Sequence, residues 1–210
     1  MTASFWDGVA RKYASAKIGN PQAYESWLAR VAARLSVRDE VLEVGCGTGT
    51  TALRLAANVK HMTASDYSSE MIAIAKEKLI AGGHDNVTFV RADPFDPALE
   101  QEGENGAGYD VVMGFNFLHL VDDPSAMVNR LAGLARPGGL VITKTACLKY
   151  RSLYLLPIVG LMRLLGKAPP VRSLSISEVD EMMLDAGLNI LEHRTFGGVV
   201  RSRFLIARKG

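Results

Sequence analysis

Three carboxylates, three closely spaced glycines and one histidine are the residues of this chain best placed to do chemistry. Glu43 stands just ahead of Gly45-Cys46-Gly47-Thr48-Gly49, Asp66 follows about twenty residues after Gly45, and Asp93 and His119 come later. Glycine has no Cβ, so it accepts positive φ and lets a ligand approach the backbone at a strand's carboxyl end. An acid ahead of that turn would repel a pyrophosphate, but it suits a ligand that carries an ammonium group. A dinucleotide-binding fingerprint needs a further small residue where Thr50 stands, and here the third glycine comes one residue early, at Gly49. The pattern disfavours NAD and points to S-adenosylmethionine.

The elements that must position these residues alternate. Val41 to Val44 is an apolar strand that feeds the glycine turn and a helix over Thr51 to Ala57. A strand from His61 ends at Asp66, and a helix from Ser69 stops at Gly82-Gly83. Further strands are expected at Val87 to Arg91, Tyr109 to Phe115 and Leu140 to Thr145, with a helix at Pro124 to Ala135 and a turn at Arg136-Pro137-Gly138-Gly139. Ser177 to Ala186 is a helix, and Asn189 to Thr195 with Arg203 to Arg208 forms an antiparallel hairpin. Ahead of the first strand lie two helices, one around Phe5 to Tyr13 and one from Pro21 to about Leu35, read as an N-terminal cap. The sum is an α/β fold: a doubly wound, mostly parallel, seven-stranded Rossmann-like sheet with a C-terminal antiparallel hairpin and helices on both faces.

This arrangement gives each acid a task. Strand ends that border one crevice let the Asp66 carboxylate accept hydrogen bonds from two ribose hydroxyls, unless it serves only as a helix cap. Asp93 would reach the exocyclic amine of adenine, or else is a loop acid beside Pro94. Tyr67 and Met71 can pack on the adenine faces, although a methionine at helical spacing also fits a core.

Composition sets further bounds. The 210 residues, 48% apolar, can bury the core of one domain, divided here into a helical cap (1–37), a cofactor-binding core (38–147), an insertion (148–176) and a C-terminal helix with hairpin (177–210). Twenty-four basic against twenty-two acidic residues give no global field for collecting nucleic-acid phosphates. Cys46 and Cys147 form no secreted disulfide framework, so a cytoplasmic setting is expected. No signal peptide or membrane span is apparent, and no carboxylate or histidine cluster has metal-ligand spacing.

The motifs Val41-Leu42-Glu43-Val44-Gly45-Cys46-Gly47-Thr48-Gly49, Asp66, Arg91-Ala92-Asp93, Tyr109-Asp110-Val111-Val112 and Arg136-Pro137-Gly138-Gly139-Leu140 together resemble the class I S-adenosylmethionine-dependent methyltransferases. Phe5-Trp6-Asp7 with Tyr13, and Asn116-Phe117-Leu118-His119, are similar to the small-molecule branch that includes ubiquinone and menaquinone biosynthesis methyltransferases. The resemblance implies that Glu43, Gly45, Cys46, Gly47, Thr48, Gly49, Asp66, Tyr67, Met71, Asp93 and Asn116 bind S-adenosyl-L-methionine, leaving S-adenosyl-L-homocysteine after transfer. One departure stands out: relatives use the backbone N–H after the adenine-binding acid, and Pro94 has none, so Phe95 or a water must serve.

A sulfonium methyl is already electrophilic, so the protein mainly holds a nucleophile in line at roughly 3 to 3.5 Å. His119 is the candidate general base, with packing or capping between Phe117 and Leu120 as the alternative. Tyr13 is expected to fold over the cofactor or merely to pack the cap. The stretch 148–172 crowds leucines among lysines and arginines and contains no acid, which suggests either a lid for a lipophilic acceptor that rests on an anionic membrane surface, or a core-packed helix kinked at Pro157 with its cations on the wet side. Methyl transfer to a small hydrophobic molecule at O, C, N or S is the leading expectation; a non-catalytic cofactor-binding regulatory module is the alternative. The D/N-P-P-Y/F pattern of amino-methylating DNA enzymes is missing after the fourth strand.

Overall fold

The strands read as continuous apolar runs because both of their faces are covered. A computed structural model of the chain describes residues 3–100, 108–151, 169, 171–197 and 200–210. Its elements are α1 (Ala3–Ser15), α2 (Pro21–Ala32), β1 (Glu40–Val44), α3 (Thr50–Leu55), β2 (His61–Asp66), α4 (Ser69–Gly82), β3 (Val87–Arg91), β4 (Tyr109–Phe115), α5 (Pro124–Leu134), β5 (Ala135–Cys147), α6 (Ile176–Asp185), β6 (Leu188–Phe196) and β7 (Arg201–Lys209). They build one seven-stranded sheet in the order β3-β2-β1-β4-β5-β7-β6. The first five strands of that order are parallel, and β7 runs antiparallel to both β5 and β6. The expected α/β, doubly wound architecture with its C-terminal hairpin is therefore present.

Alternation along each strand assigns the faces. Leu42, Val112, Val141 and Leu205 pack with Met127, Val128 and Leu131 of α5 and with Val179 and Met183 of α6. Their neighbours Val41, Val111, Ile142 and Ile206 point the other way, onto Trp27 and Val31 of α2, Leu55 of α3 and Ala75 of α4. The two helices expected to form one N-terminal cap take different places. Trp27 of α2 is buried in the sheet core, its ring centroid 4.7 Å from that of Phe115. On α1, Ala10 packs instead against Met71 and Ile74 of α4.

Capping explains several boundaries. Asn20, Ser68 and Asp123 accept from the N–H of Ala23, Met71 and Ala126, and Ser175 forms a reciprocal capping box with Glu178. The second helix ends at Ala32, short of the expected Leu35. Arg136-Pro137-Gly138-Gly139 lies inside β5 rather than ahead of it. The turn signal is still real: β5 advances from Ala135 to Leu140 while β4 advances only from Tyr109 to Val111, so these residues bulge out of the ladder. Most of the expected 148–176 insertion and of the acidic loop 100–108 lies outside the described residues. The ends of that insertion meet, since the Lys149 N–H donates to the Leu174 carbonyl at 3.1 Å.

Candidate active site

A cleft of about 600 Å³ opens at the carboxyl ends of the parallel strands, where the strand order reverses between β1 and β4. Open α/β sheets bind ligands at this point, because the loops on either side diverge to opposite faces. Its walls come from α1 (Trp6, Tyr13), the glycine turn (Gly45, Gly47), the end of β2 (Asp66, Tyr67), the loop after β3 (Asp93 to Phe95) and the segment after β4 (Asn116, Phe117, His119).

Behind the turn, Glu43 is only 2% exposed, and its Oε2 has no hydrogen-bond partner among the described residues. Burial first, and the charge of Asp66 second, push its carboxyl up to about 8. An orphaned acid of this kind calls for a donor or a cation, and the ammonium of a methionine group is one. Asp66 Oδ2 accepts the Gly47 N–H at 2.9 Å, and Oδ1 accepts the Ser68 N–H at 2.9 Å. Ser68, not Asp66, caps α4, its Oγ accepting the Met71 N–H at 3.2 Å. Burial raises the Asp66 carboxyl and these backbone donors oppose it. A carboxylate holds about four acceptor sites, so Asp66 retains capacity for ribose hydroxyls.

Not every turn residue reaches the cleft. Cys46 is buried with its thiol toward the Gly47 carbonyl at 3.6 Å, and Thr48 accepts from Lys78 Nζ at 2.8 Å. Gly49 works through packing. Its φ is +72°, and a Cβ there would lie 2.5 Å from Phe89 Cζ and 2.9 Å from Ala75 Cβ. This explains why the third glycine sits at 49: close approach of α4 and β3 demands it there.

On the β3 side of the cleft, Met71 is buried against α1 and also borders the cleft. The Tyr67 hydroxyl is buried without a partner among the described residues, and burial together with Asp66, Asp7, Asp122 and Asp93 lifts it to about 12. Asp93 is exposed, and its Oδ1 accepts the Phe95 N–H at 2.9 Å. The donor expected to stand in for Pro94 is thus engaged by Asp93 itself. Arg130 braces this loop by donating to the carbonyls of Pro94 and Asp96, each at 3.0 Å.

Across the cleft, Asn116 sits at φ +57° with its amide oxygen 2.8 Å from Lys144 Nζ. His119 lies in a short 3-10 turn, Leu118–Leu120, and both its backbone N–H and its Nδ1 lie 3.2 Å from Thr145 Oγ1. Burial, then the charge of Lys144, lowers the imidazole to about 4, so it is neutral at ordinary pH. Beneath it the Phe117 ring fills the space that side chains at Gly45 and Gly114 would need. Tyr13 is 54% exposed at the cleft mouth, and Trp6 meets it edge-on with ring centroids 6.4 Å apart. Desolvation, Asp66 and Glu43 raise its phenol.

Asp7 and Phe117 stand in the motifs quoted for the small-molecule branch without an assigned role, whereas Lys144, Thr145 and Arg130 escaped the sequence reading as contributors to the site. Ser68-Ser69-Glu70 marks a helix start, but its second acceptor, Asp7, comes from a distant helix. Among the described residues no group of three His, Cys, Asp or Glu side chains could hold a metal ion.

A doubly wound sheet with an antiparallel terminal hairpin, a glycine turn backed by a buried acid, and a second acid at the end of β2 define the class I S-adenosylmethionine-dependent methyltransferases. The chain belongs to that family: residues 42–141 match the model of a methyltransferase domain. It is 32% identical over 165 residues to a ubiquinone biosynthesis O-methyltransferase of Nitrosospira multiformis, covering 76% of this chain and 66% of that protein. A protein of the same name from Aromatoleum aromaticum is 30% identical over 171 residues, covering 79% and 70%. The chain spans only about half, 52%, of the length of another relative of that name. Among solved structures, magnesium protoporphyrin IX methyltransferase of Synechocystis shares the fold, with a TM-score of 0.71, 21% identity and coverage of 100% of this chain and 95% of that one.

Proposed function

We propose that this protein transfers a methyl group from S-adenosyl-L-methionine to a small hydrophobic acceptor. The observation that carries this reading is the joint placement of Glu43, Gly47 and Asp66 at the switch point, with an orphaned buried carboxyl behind the turn and the Asp66 carboxylate tied to the Gly47 N–H. In this reading Glu43 and the turn hold the methionine end, Asp66 the ribose, and Tyr67, Met71 and Asp93 the adenine. Bound there, the cofactor supplies a methyl group on a sulfonium, and the remaining task is to aim the acceptor and keep water out.

The acceptor side supports a hydrophobic molecule. Phe117, Leu120, Val121 and Met127 border the cleft beyond Asn116. His119, neutral and tethered to Thr145, serves there as a hydrogen-bonding group that orients the acceptor. Tyr13 and Trp6 close the mouth from α1. The acid-free stretch 148–172 supports peripheral membrane contact, tested by cosedimentation with anionic and neutral vesicles. Two free, buried cysteines suit a reducing, cytoplasmic compartment.

Calorimetry with S-adenosylhomocysteine, followed by measurement of its release from S-adenosylmethionine in a mixed metabolite extract, tests both halves. Binding that Asp66→Ala weakens at least tenfold, with release in the extract, is the expected result. Binding without release of product from any extract favours the regulatory module, and no binding ends the reading.

A further inference from the structure

Thr145 lies fully buried near the carboxyl end of β5, and its hydroxyl meets His119 at two points. Its Oγ1 is 3.2 Å from the His119 backbone nitrogen and 3.2 Å from the imidazole Nδ1, and it has no other partner among the described residues. A threonine hydroxyl carries one hydrogen and two lone pairs. The His119 N–H can only donate, so it occupies one lone pair and leaves two arrangements for the ring. If Nδ1 carries the ring proton, it donates to Oγ1 as well, and the Thr145 hydrogen is left without an acceptor in a site closed to water. If Nδ1 is bare, the hydroxyl donates to it and every group is satisfied. An orphaned buried donor weighs against the first arrangement by roughly tenfold or more, so the ring proton resides on Nε2.

The same turn is held from its other side. The His119 carbonyl accepts the Arg172 N–H at 2.7 Å, where the chain returns toward α6. With both backbone groups and Nδ1 engaged, the imidazole has one free edge, the one that carries Nε2. No partner of Nε2 lies among the described residues, and His119 borders the cleft. Burial keeps the ring neutral, and protonation at Nδ1 would also strip the Thr145 hydrogen of its acceptor.

We propose that Thr145 is a positioning residue that locks His119 in its Nε2–H tautomer, so that the imidazole offers the cleft a hydrogen-bond donor and no basic nitrogen. The use of that donor rests on the methyl-transfer reading; the tautomer does not. A fixed N–H binds a lone pair on the methyl acceptor and so holds the molecule in one orientation before the sulfonium. The lone pair that a general base would need is already taken by the Thr145 hydroxyl.

The tautomer is read on the full chain labelled with 15N at histidine, at pH 7, by long-range 1H–15N correlation, which separates a protonated ring nitrogen from a bare one. His119→Gln identifies the His119 signals among the four histidines. The wild type is expected to show Nε2 protonated and Nδ1 bare, with the other form at about a tenth or less. Thr145→Ser should keep both signals, and Thr145→Val, which preserves shape without the hydroxyl, should move the Nδ1 resonance. Release of S-adenosylhomocysteine in the metabolite extract should fall roughly three- to tenfold in Thr145→Val, the net worth of one hydrogen bond, with unchanged affinity for S-adenosylhomocysteine. A ring proton on Nδ1 in the wild type overturns the proposal, and that reading needs no variant should Thr145→Val not fold. An unmoved Nδ1 resonance or undiminished release in Thr145→Val overturns it as well. Failure of the wild type to release product from any extract is a separate result: it removes the methyl-transfer reading and this use of the donor with it, while the tautomer is read without turnover.

Discussion

Asp7 of α1 caps α4: its Oδ1 accepts from Ser68 Oγ at 2.6 Å and from the Glu70 N–H at 3.1 Å. One helix thereby supplies an acceptor to an orphan N–H of another, and the negative charge sits at the positive end of the α4 dipole. The Ser68 hydroxyl, then the Glu70 N–H, hold the Asp7 carboxyl below its ordinary range. A lowered folded value means stability that is present above the unfolded carboxyl pKa and lost as pH falls through the folded one. Asp7→Ala should lower Tm by roughly 2 to 4 °C at pH 7, about 1 kcal/mol for a lost cap, and the difference should shrink as pH falls below the ordinary carboxylate range. Because α1 carries Trp6 and Tyr13 to the cleft, affinity for S-adenosylhomocysteine should drop up to about fivefold. Equal Tm values for variant and wild type at pH 7 would sink the capping argument.

That relationship shows where sequence reading stops. The sheet was legible because Val41-Leu42, Val111-Val112 and Val141-Ile142 are paired apolar residues that only a two-sided burial explains. The meeting of the glycine turn and Asp66 at one cleft was legible because both lie along one crossover. Asp7, Lys144 and Thr145 were not, since each acts on a residue brought near by packing: Ser68, Asn116 and His119. Arg136 to Gly139 carried the right turn chemistry and the wrong placement, because a bulge and a loop use the same residues.

Glu43 makes the free protein sensitive to alkali. Its carboxyl, raised to about 8 by burial, is neutral at pH 6 and must ionise inside the core as pH rises. A raised folded value means stability that is fully present below the unfolded pKa and lost as pH climbs through the folded one. Wild-type Tm should therefore decline between pH 5 and pH 8 in the absence of cofactor, and Glu43→Gln should flatten that decline. Bound cation should favour the ionised form, so S-adenosylhomocysteine binding at pH 6.5 should release protons in calorimetry run in buffers of different ionisation enthalpy. A Glu43→Gln variant with the same Tm slope and the same proton release would refute the assignment.

Gly49→Ala combines two costs. The new methyl group meets Phe89 and Ala75, both buried, and the backbone must hold φ +72° with a Cβ present. Overpacking and the left-handed conformation together amount to about 3 kcal/mol, a Tm loss of roughly 6 to 12 °C. Phe89→Leu added to Gly49→Ala should recover part of the loss by freeing the space, whereas Phe89→Leu alone should destabilise. Independent, additive losses in the double variant would show that the ring is not what excludes a side chain at 49.

His119 separates a base from an orienting group by its pH behaviour. An imidazole lowered to about 4 by burial and by Lys144 stays neutral from pH 6 to 8, so its ionisation contributes no limb to the rate profile there. A base this weak also transfers protons inefficiently, because the best catalytic pKa lies near the working pH. His119→Asn keeps a polar group near Thr145 and should lower kcat/KM by less than about tenfold, with the same pH dependence as wild type. A positioned general base is worth about 10² to 10⁴. A loss of that size, or a limb near pH 6.5 that disappears in His119→Asn, would return His119 to the role of base and would mean that acceptor binding raises its pKa.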